Sequence, residues 1–253
     1  MYANHAGVGM EKEKIERAKA YLEREYGRNV NLLAALQSGI AKIAYMEEEG
    51  CLLCVAEDIW QLCAETEACA ERLLQQVPEH AALLGLQQTA LLPFVKHRFG
   101  AKAVQTYHNV WYAGDEIGLP ACNVSVRVLN PEEAEGLAAY YHLPEEAEGE
   151  CEETKQYLKN RALDASLFGG YIGENLVGFV GIHDEGSIGL LTVLPEYRCR
   201  GIGTCLERFV IAHMLQRGWI PFGQVAGGNE ASLAVQRKIG MAVSQEQVAW
   251  LER

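Results

Sequence analysis

Positive charge is scarce: Lys plus Arg total 22 against 34 for Asp plus Glu over 253 residues, a formal net charge of -12. Phosphate polyanions are repelled by such a surplus, which excludes bulk binding to DNA, RNA or an anionic membrane. Long apolar runs are also missing, and none approaches the roughly 18 to 20 residues that span a bilayer. The segment Met1 to Met10 has neither the basic start nor the apolar core of a signal peptide, so a cytoplasmic location is expected. In that reducing setting the 8 cysteines are expected as thiols. Cys51 and Cys54 form a C-x-x-C, but no second pair or nearby His completes a zinc spacing. Gly50 to Val55 reads instead as a buried strand carrying small thiols, and no metal site is expected.

What is present is an ordinary globular composition, 49% hydrophobic and 22% charged. Its length suits one large domain or two small ones. Two halves are expected, 1–122 and 123–253, with a boundary near Gly118-Leu119-Pro120. The first half opens with a charged helix from Glu11 to Tyr26, stopped by Gly27, and helical spacing resumes over Asn31 to Leu36. Strands are expected at Ile40 to Tyr45 and Cys51 to Val55, joined as a hairpin. Helical periodicity is then assigned to Trp60 to Val77, closed by Pro78.

In the second half, Val124 to Val128 alternates as a strand. Asn130-Pro131-Glu132-Glu133 carries the signals of a helix start, and a further helix is expected over Glu152 to Leu163. Phe168 to Ile172 and Leu176 to His183 form a hairpin around Gly173-Glu174-Asn175. Ile188 to Leu194 is apolar enough to be a strand buried on both faces. Thr204 to Arg217 and Glu230 to Ile239 have helical spacing, with strands at Ile220 to Val225 and Val243 to Leu251.

The segment richest in chemistry is Leu191-Thr192-Val193-Leu194-Pro195-Glu196-Tyr197-Arg198-Cys199-Arg200-Gly201-Ile202-Gly203-Thr204. A strand enters a turn with two glycines, and the turn opens into an amphipathic helix. Glycines allow close backbone approach, and the unpaired N–H groups of a helix start favour an anion. Arg198 and Arg200 flank the turn, so a phosphate-bearing ligand is indicated. Leu206 stands where a dinucleotide fingerprint needs its third Gly, and no Walker Gly-Lys-Ser/Thr occurs.

Arg198-x-x-Gly201-x-Gly203 resembles the acyl-CoA signature of the GNAT superfamily of N-acetyltransferases. Asn229-Glu230-Ala231-Ser232-Leu233 with Lys238-Ile239-Gly240-Met241 is similar to that family's second motif, and the element order from Val124 to Leu251 follows its scaffold. The resemblance covers about half the chain. It implies an α/β (α+β) GNAT fold, a mixed, mostly antiparallel central sheet flanked by helices. It further implies acetyl transfer from acetyl-CoA, as cosubstrate, to a primary amine. Leu191, Thr192 and Val193 would pair with the pantetheine arm, and the Val193 N–H would polarise the thioester carbonyl. The N–H groups of Cys199, Arg200, Gly201, Ile202, Gly203 and Thr204 would cradle the diphosphate, with charge from Arg198 and Arg200. Asn229 and Ser232 would close over the arm. A homodimer is among the assemblies the resemblance allows.

An alkylammonium titrates near pH ~10, so the acceptor must lose a proton before attack. Glu185 is the leading candidate base and His183 the runner-up. The family's acidic Tyr is replaced by Gln236, but a thiol of pKa about 8.5 leaves largely unassisted. An inactive acyl-CoA-binding sensor is the alternative function. Pro131 to Glu153 holds Glu132, Glu133, Glu135, Glu145, Glu146, Glu148, Glu150, Glu152 and Glu153 with no Lys or Arg. That segment is either a rim attracting a cationic acceptor or, as favoured here, a solvated face. Finally, Leu92 to Gly100 with a strand to Trp111 parallels Leu233 to Gly240 with a strand to Trp250. The first half is therefore expected to be a degenerate GNAT-like unit without the Gly turn.

Overall fold

The computed structural model describes residues 3–119, 122–141 and 152–253, with side chains from Lys12 onward. Contacts group residues 1–113 with 222–253 in one unit, and Gly114–Pro221 in a second. This grouping is not the linear one at residue 122, because the last strands of the chain pack with the first half.

In the first unit, α1 (Ala3–Leu22) and α2 (Tyr26–Ser38) precede an antiparallel meander of β1 (Lys42–Met46), β2 (Gly50–Cys54) and β3 (Ile59–Ala64). Then follow α3 (Glu67–Leu74), β4 (Leu83–Leu86), α4 (Leu92–Phe99) and β5 (Ala103–Trp111). The chain's end adds β10 (Phe222–Ala226), α8 (Glu230–Ile239) and β11 (Ala242–Glu252). The strand order is β1-β2-β3-β4-β11-β5-β10. The pairings are antiparallel except β3 with β4, which is parallel and crosses through α3. The last strands have changed places: β11 lies between β4 and β5, and β5 lies between β11 and β10. One apolar core, with Leu62, Leu73, Leu84, Val95, Phe99 and Leu251, seals the α3–α4 face.

Two expectations are corrected here. Trp60 to Val77 is not one helix. Its first part is β3, and α3 begins only after Thr66, whose side chain caps the N–H of Cys69 at 3.2 Å. Trp60 to Ala64 are all buried, so the alternation that marks a half-exposed strand is absent. Gly27 does not end a helix either. It lies inside α2, where a Cβ would come 2.9 Å from the Trp111 ring, so the glycine lets α2 approach β5. The Cys51–Cys54 segment is strand β2 as expected, with Cys51 buried and facing Cys63 across the ladder.

The second unit holds β6 (Ser125–Val128), α5 (Pro131–Glu135), α6 (Glu152–Leu163), β7 (Leu167–Ile172), β8 (Asn175–Ile182), β9 (Ile188–Val193) and α7 (Ile202–Gln216). Its sheet, β9-β8-β7-β6, is antiparallel throughout. Asn130 accepts the Glu133 N–H at 2.8 Å while Glu133 accepts the Asn130 N–H at 3.1 Å, the reciprocal cap read from the sequence. Helices α5 and α6 cover one face through Leu129, Leu137, Leu158, Leu167, Phe179 and Leu190. Helix α7 packs on the strands at Gly170 and Gly178, where a Cβ would meet Leu206 at 2.7 and 3.2 Å.

Element order repeats between the halves. A three-strand antiparallel meander, a helix, a strand, a helix ended by a left-handed glycine (Gly100 or Gly240) and a strand bearing Trp111 or Trp250 occur in each. In the first half β3 and β4 are zipped from Ile59–Leu83 to Leu62–Leu86, and the β3–α3 junction has no glycine. That junction has no counterpart of the Gly201-Ile202-Gly203 turn. No helix among the described residues is long and apolar enough to cross a membrane.

Candidate acyl-CoA site

The strand β9 is not buried on both faces, contrary to expectation. Leu191 is 37% exposed, and Thr192 and Val193 are half-buried. A bulge sets Leu190 and Leu191 opposite the single residue Val180, and Leu190 takes φ +56°. Beyond the bulge Val193 faces Gly178, and the Leu194 N–H donates to the Val177 carbonyl at 3.0 Å. In an antiparallel ladder this makes Val193–Gly178 a non-hydrogen-bonded pair, so both the N–H and the C=O of Val193 point away from β8. They form a donor and acceptor on the other edge of the strand.

From Val193 the chain makes a 3-10 turn at Pro195–Tyr197 and then reverses sharply, with Cys199 at φ +60° and Gly201 at φ +78°. Gly201 is the N-cap of α7, and its carbonyl accepts the Cys205 N–H at 3.1 Å. The N–H groups of Ile202, Gly203 and Thr204 occupy the first turn, where no intrahelical acceptor exists. A Cβ at Gly203 would meet only Val193 Cγ2, at 3.5 Å. The first turn of α7 thus lies beside Val193 of β9, with no other atom within 4 Å of a Cβ at Gly203. The arginines divide their roles. Arg198 Nε donates to the Val193 carbonyl at 3.1 Å, tying the ends of the turn together, and Arg200 lies over the Tyr197 ring at 5.6 Å.

Asn229 and Ser232 belong to the first unit. Asn229 caps α8 by accepting the Ser232 N–H at 3.1 Å. Gln236 lies in the same helix and leaves the departure from the family's Tyr in place.

His183 and Glu185 sit together in the turn between β8 and β9. The Ser187 hydroxyl donates to the Glu185 carboxylate, extending its reach to the start of β9. The His183 ring lies over Gly189, where a Cβ would come 2.1 Å from Nε2, and its Nδ1 is 2.6 Å from the Tyr157 hydroxyl. Sequence reasoning missed Tyr157, which stands 26 positions away on α6. Burial, and then the carboxylates of Glu185 and Asp184, push its phenol pKa far up, so the hydroxyl keeps its proton. Burial also raises the Asp184 carboxyl, against the opposing pull of Arg161. Arg161, with its side chain 11% exposed, pairs with both Asp184 and Asp164. Gly189→Ala should expel the imidazole and leave the Tyr157 hydroxyl without this partner. A loss of about 2 kcal/mol in urea unfolding is expected, in the range for a buried polar group left unpaired.

The carboxylates of α5 and α6 are largely neutralised. Glu133 pairs with Arg127 at 2.5 Å, Glu135 with Lys159 at 3.2 Å and Glu152 with Lys155 at 2.9 Å. Arg127, with help from the Asn130 N–H, holds the Glu133 carboxyl at about 2. Glu145, Glu146, Glu148 and Glu150 lie outside the described residues. The solvated-face reading therefore fits the described part of this segment. No cluster of three His, Cys, Asp or Glu side chains suited to a metal occurs among the described residues.

Residues 135–241 match the model of the acetyltransferase (GNAT) family. Among curated proteins none matches the chain. A Drosophila protein of solved structure shares the fold with TM-score 0.66 at 14% identity, covering 95% of each chain. A GCN5-related N-acetyltransferase-like protein from Streptococcus suis aligns with TM-score 0.53 at 15% identity, over 96% of this chain and 100% of its own. An acetyltransferase of the GNAT family from Colwellia psychrerythraea gives 0.52 at 15%, over 94% of each chain. Such identities speak for the fold alone, while the family match falls on the strand, turn and helix just described. Residues 135–241 of this chain belong to the GNAT acetyltransferase family.

Proposed function

We propose that the protein is an N-acetyltransferase that moves the acetyl group of acetyl-CoA to a primary amine, with the donor held on the second unit. The observation that carries this reading is the pairing of an outward-facing Val193 edge with a helix start that lacks side chains at Gly201 and Gly203. The diphosphate lies on the N–H groups from Cys199 to Thr204, favoured by the helix dipole. Arg200 supplies charge there, whereas Arg198 mainly holds the curvature of the turn. The pantetheine arm adds to the edge of Leu191, Thr192 and Val193, and the Val193 N–H donates to the thioester oxygen as it gains charge.

Glu185 takes the ammonium proton. About 16 Å of strand separates Ile188 from Val193, so Glu185 acts through the Ser187 hydroxyl and a chain of several waters along β9. His183 is the less favoured base. A protonated Tyr157 donating to Nδ1 leaves the imidazole proton on Nε2, against Gly189.

Two measurements test the reading. Acetyl-CoA is expected to raise the melting temperature in a concentration-dependent way. Thiol release is expected with some members of a panel of primary amines. Stabilisation without thiol release for any amine would favour an acyl-CoA-binding sensor, and no stabilisation would overturn both.

A further inference from the structure

Helix α6 grips the turn between β8 and β9 at two consecutive residues. The Tyr157 hydroxyl donates to His183 Nδ1 at 2.6 Å, and the two rings stack with centroids 6.0 Å apart and planes 25° apart. One helical turn on, the Arg161 guanidinium pairs with the Asp184 carboxylate. Tyr157 and Arg161 are four apart, so both side chains leave the same face of α6. Asp164 holds the same guanidinium at 2.7 Å, which fixes the arginine from a second side. The gripped segment is a four-residue reversal, His183-Asp184-Glu185-Gly186. The Gly186 N–H closes it on the His183 carbonyl at 3.0 Å, and the His183 N–H donates to the Ser187 carbonyl at 2.9 Å. Helix α6 thus holds the first two residues of the turn, and Glu185 is the third, its carboxylate accepting the Ser187 hydroxyl.

We propose that, given the acetyl transfer read above, Tyr157 and Arg161 are positioning residues for Glu185, a two-point clamp on α6 that fixes where the turn aims that carboxylate. Neither side chain has to reach the substrate for this. A turn tied only by its own backbone bonds can rock about its ends, whereas side chains from a second element lock it in place. Proton removal is sensitive to such rocking, since a misplacement of about 1 Å can cost about 10²-fold in rate. The clamp also accounts for the chemistry of its parts. The Tyr157 hydroxyl keeps its proton and so stays a donor to Nδ1, and Arg161 stays charged beside Asp184.

The test is a double-mutant cycle on kcat for thiol release with a saturating amine, in the full chain, using Y157F, E185Q and the two combined. Y157F keeps the ring and removes only the hydroxyl. It is expected to lower kcat about 10-fold with the KM for acetyl-CoA unchanged, and to cause no further loss once Glu185 is replaced. D184N, which releases the grip of Arg161, should behave in the same way. A Y157F loss that recurs in full on top of E185Q would overturn the proposal, as would no loss in Y157F. Unchanged kcat in E185Q alone would instead reject Glu185 as the base, and the positioning role with it. A second readout needs no amine. The His183 and Gly186 amides, which close the turn, should exchange hydrogen about 10-fold faster in Y157F and D184N, with β7 unaltered. Unaltered exchange at both amides would overturn the clamp whatever the kinetics show.

Discussion

Gly203→Trp is expected to weaken acetyl-CoA binding by at least about 100-fold, near 2.8 kcal/mol, while the protein stays folded. The position is unusual in what surrounds it. A Cβ there meets only Val193 Cγ2 at 3.5 Å, ordinary contact, so the fold itself does not require glycine. Gly203 lies in the first turn of α7, beside the outward edge of β9 on which the proposed function places the donor's diphosphate and arm. Gly201 is the informative contrast. A Cβ there meets nothing within 4 Å, but φ is +78°, so Gly201→Ala should cost about 1–2 kcal/mol of stability. Titration calorimetry and denaturant unfolding on both variants separate the effects. If Gly203→Trp binds acetyl-CoA as tightly as the unaltered protein, the cradle is elsewhere.

Glu185→Gln is expected to lower kcat by about 10²-fold with little change in the KM for acetyl-CoA, the lower end of the usual range for a general base. The amide keeps an oxygen that can accept the Ser187 hydroxyl, so the turn should survive and the loss should report on proton removal. Ser187→Ala should reproduce part of the loss, because the hydroxyl connects the carboxylate to the start of β9. Unchanged kcat in Glu185→Gln, measured by thiol release with a saturating amine, would move the base elsewhere.

Much of this fold could be read locally. Helices α6 and α8 have the bounds expected from capping and spacing, and the Asn130–Glu133 box appears in full. The hairpin of β7 and β8 turns at Gly173 as its residues suggest. Local signals failed where neighbours override them. Strand β3 is enclosed on both faces and shows no alternation, and Gly27 serves Trp111 rather than a helix end. The bulge in β9 was also invisible, because nothing in Ile188 to Val193 marks Leu190 for a positive φ. In the site, the turn at Gly201 was legible, because its φ of +78° favours glycine. The use of Arg198 on the Val193 carbonyl and the contact of Tyr157 with His183 were not, since each depends on chain reversal or long-range packing.

The changed places of β5 and β11 carry a consequence for how this gene can be cut. Both neighbours of β11, namely β4 and β5, come from the first half of the chain, whereas β5 has β10 and β11 from the second. A fragment starting after residue 122 would hold the whole family signature yet present β11 with naked edges on either side, an invitation to aggregation. Two separately produced fragments, by contrast, each contain the strand the other is missing. The halves are complementary pieces of one fold, and heritable change in either is screened through the other.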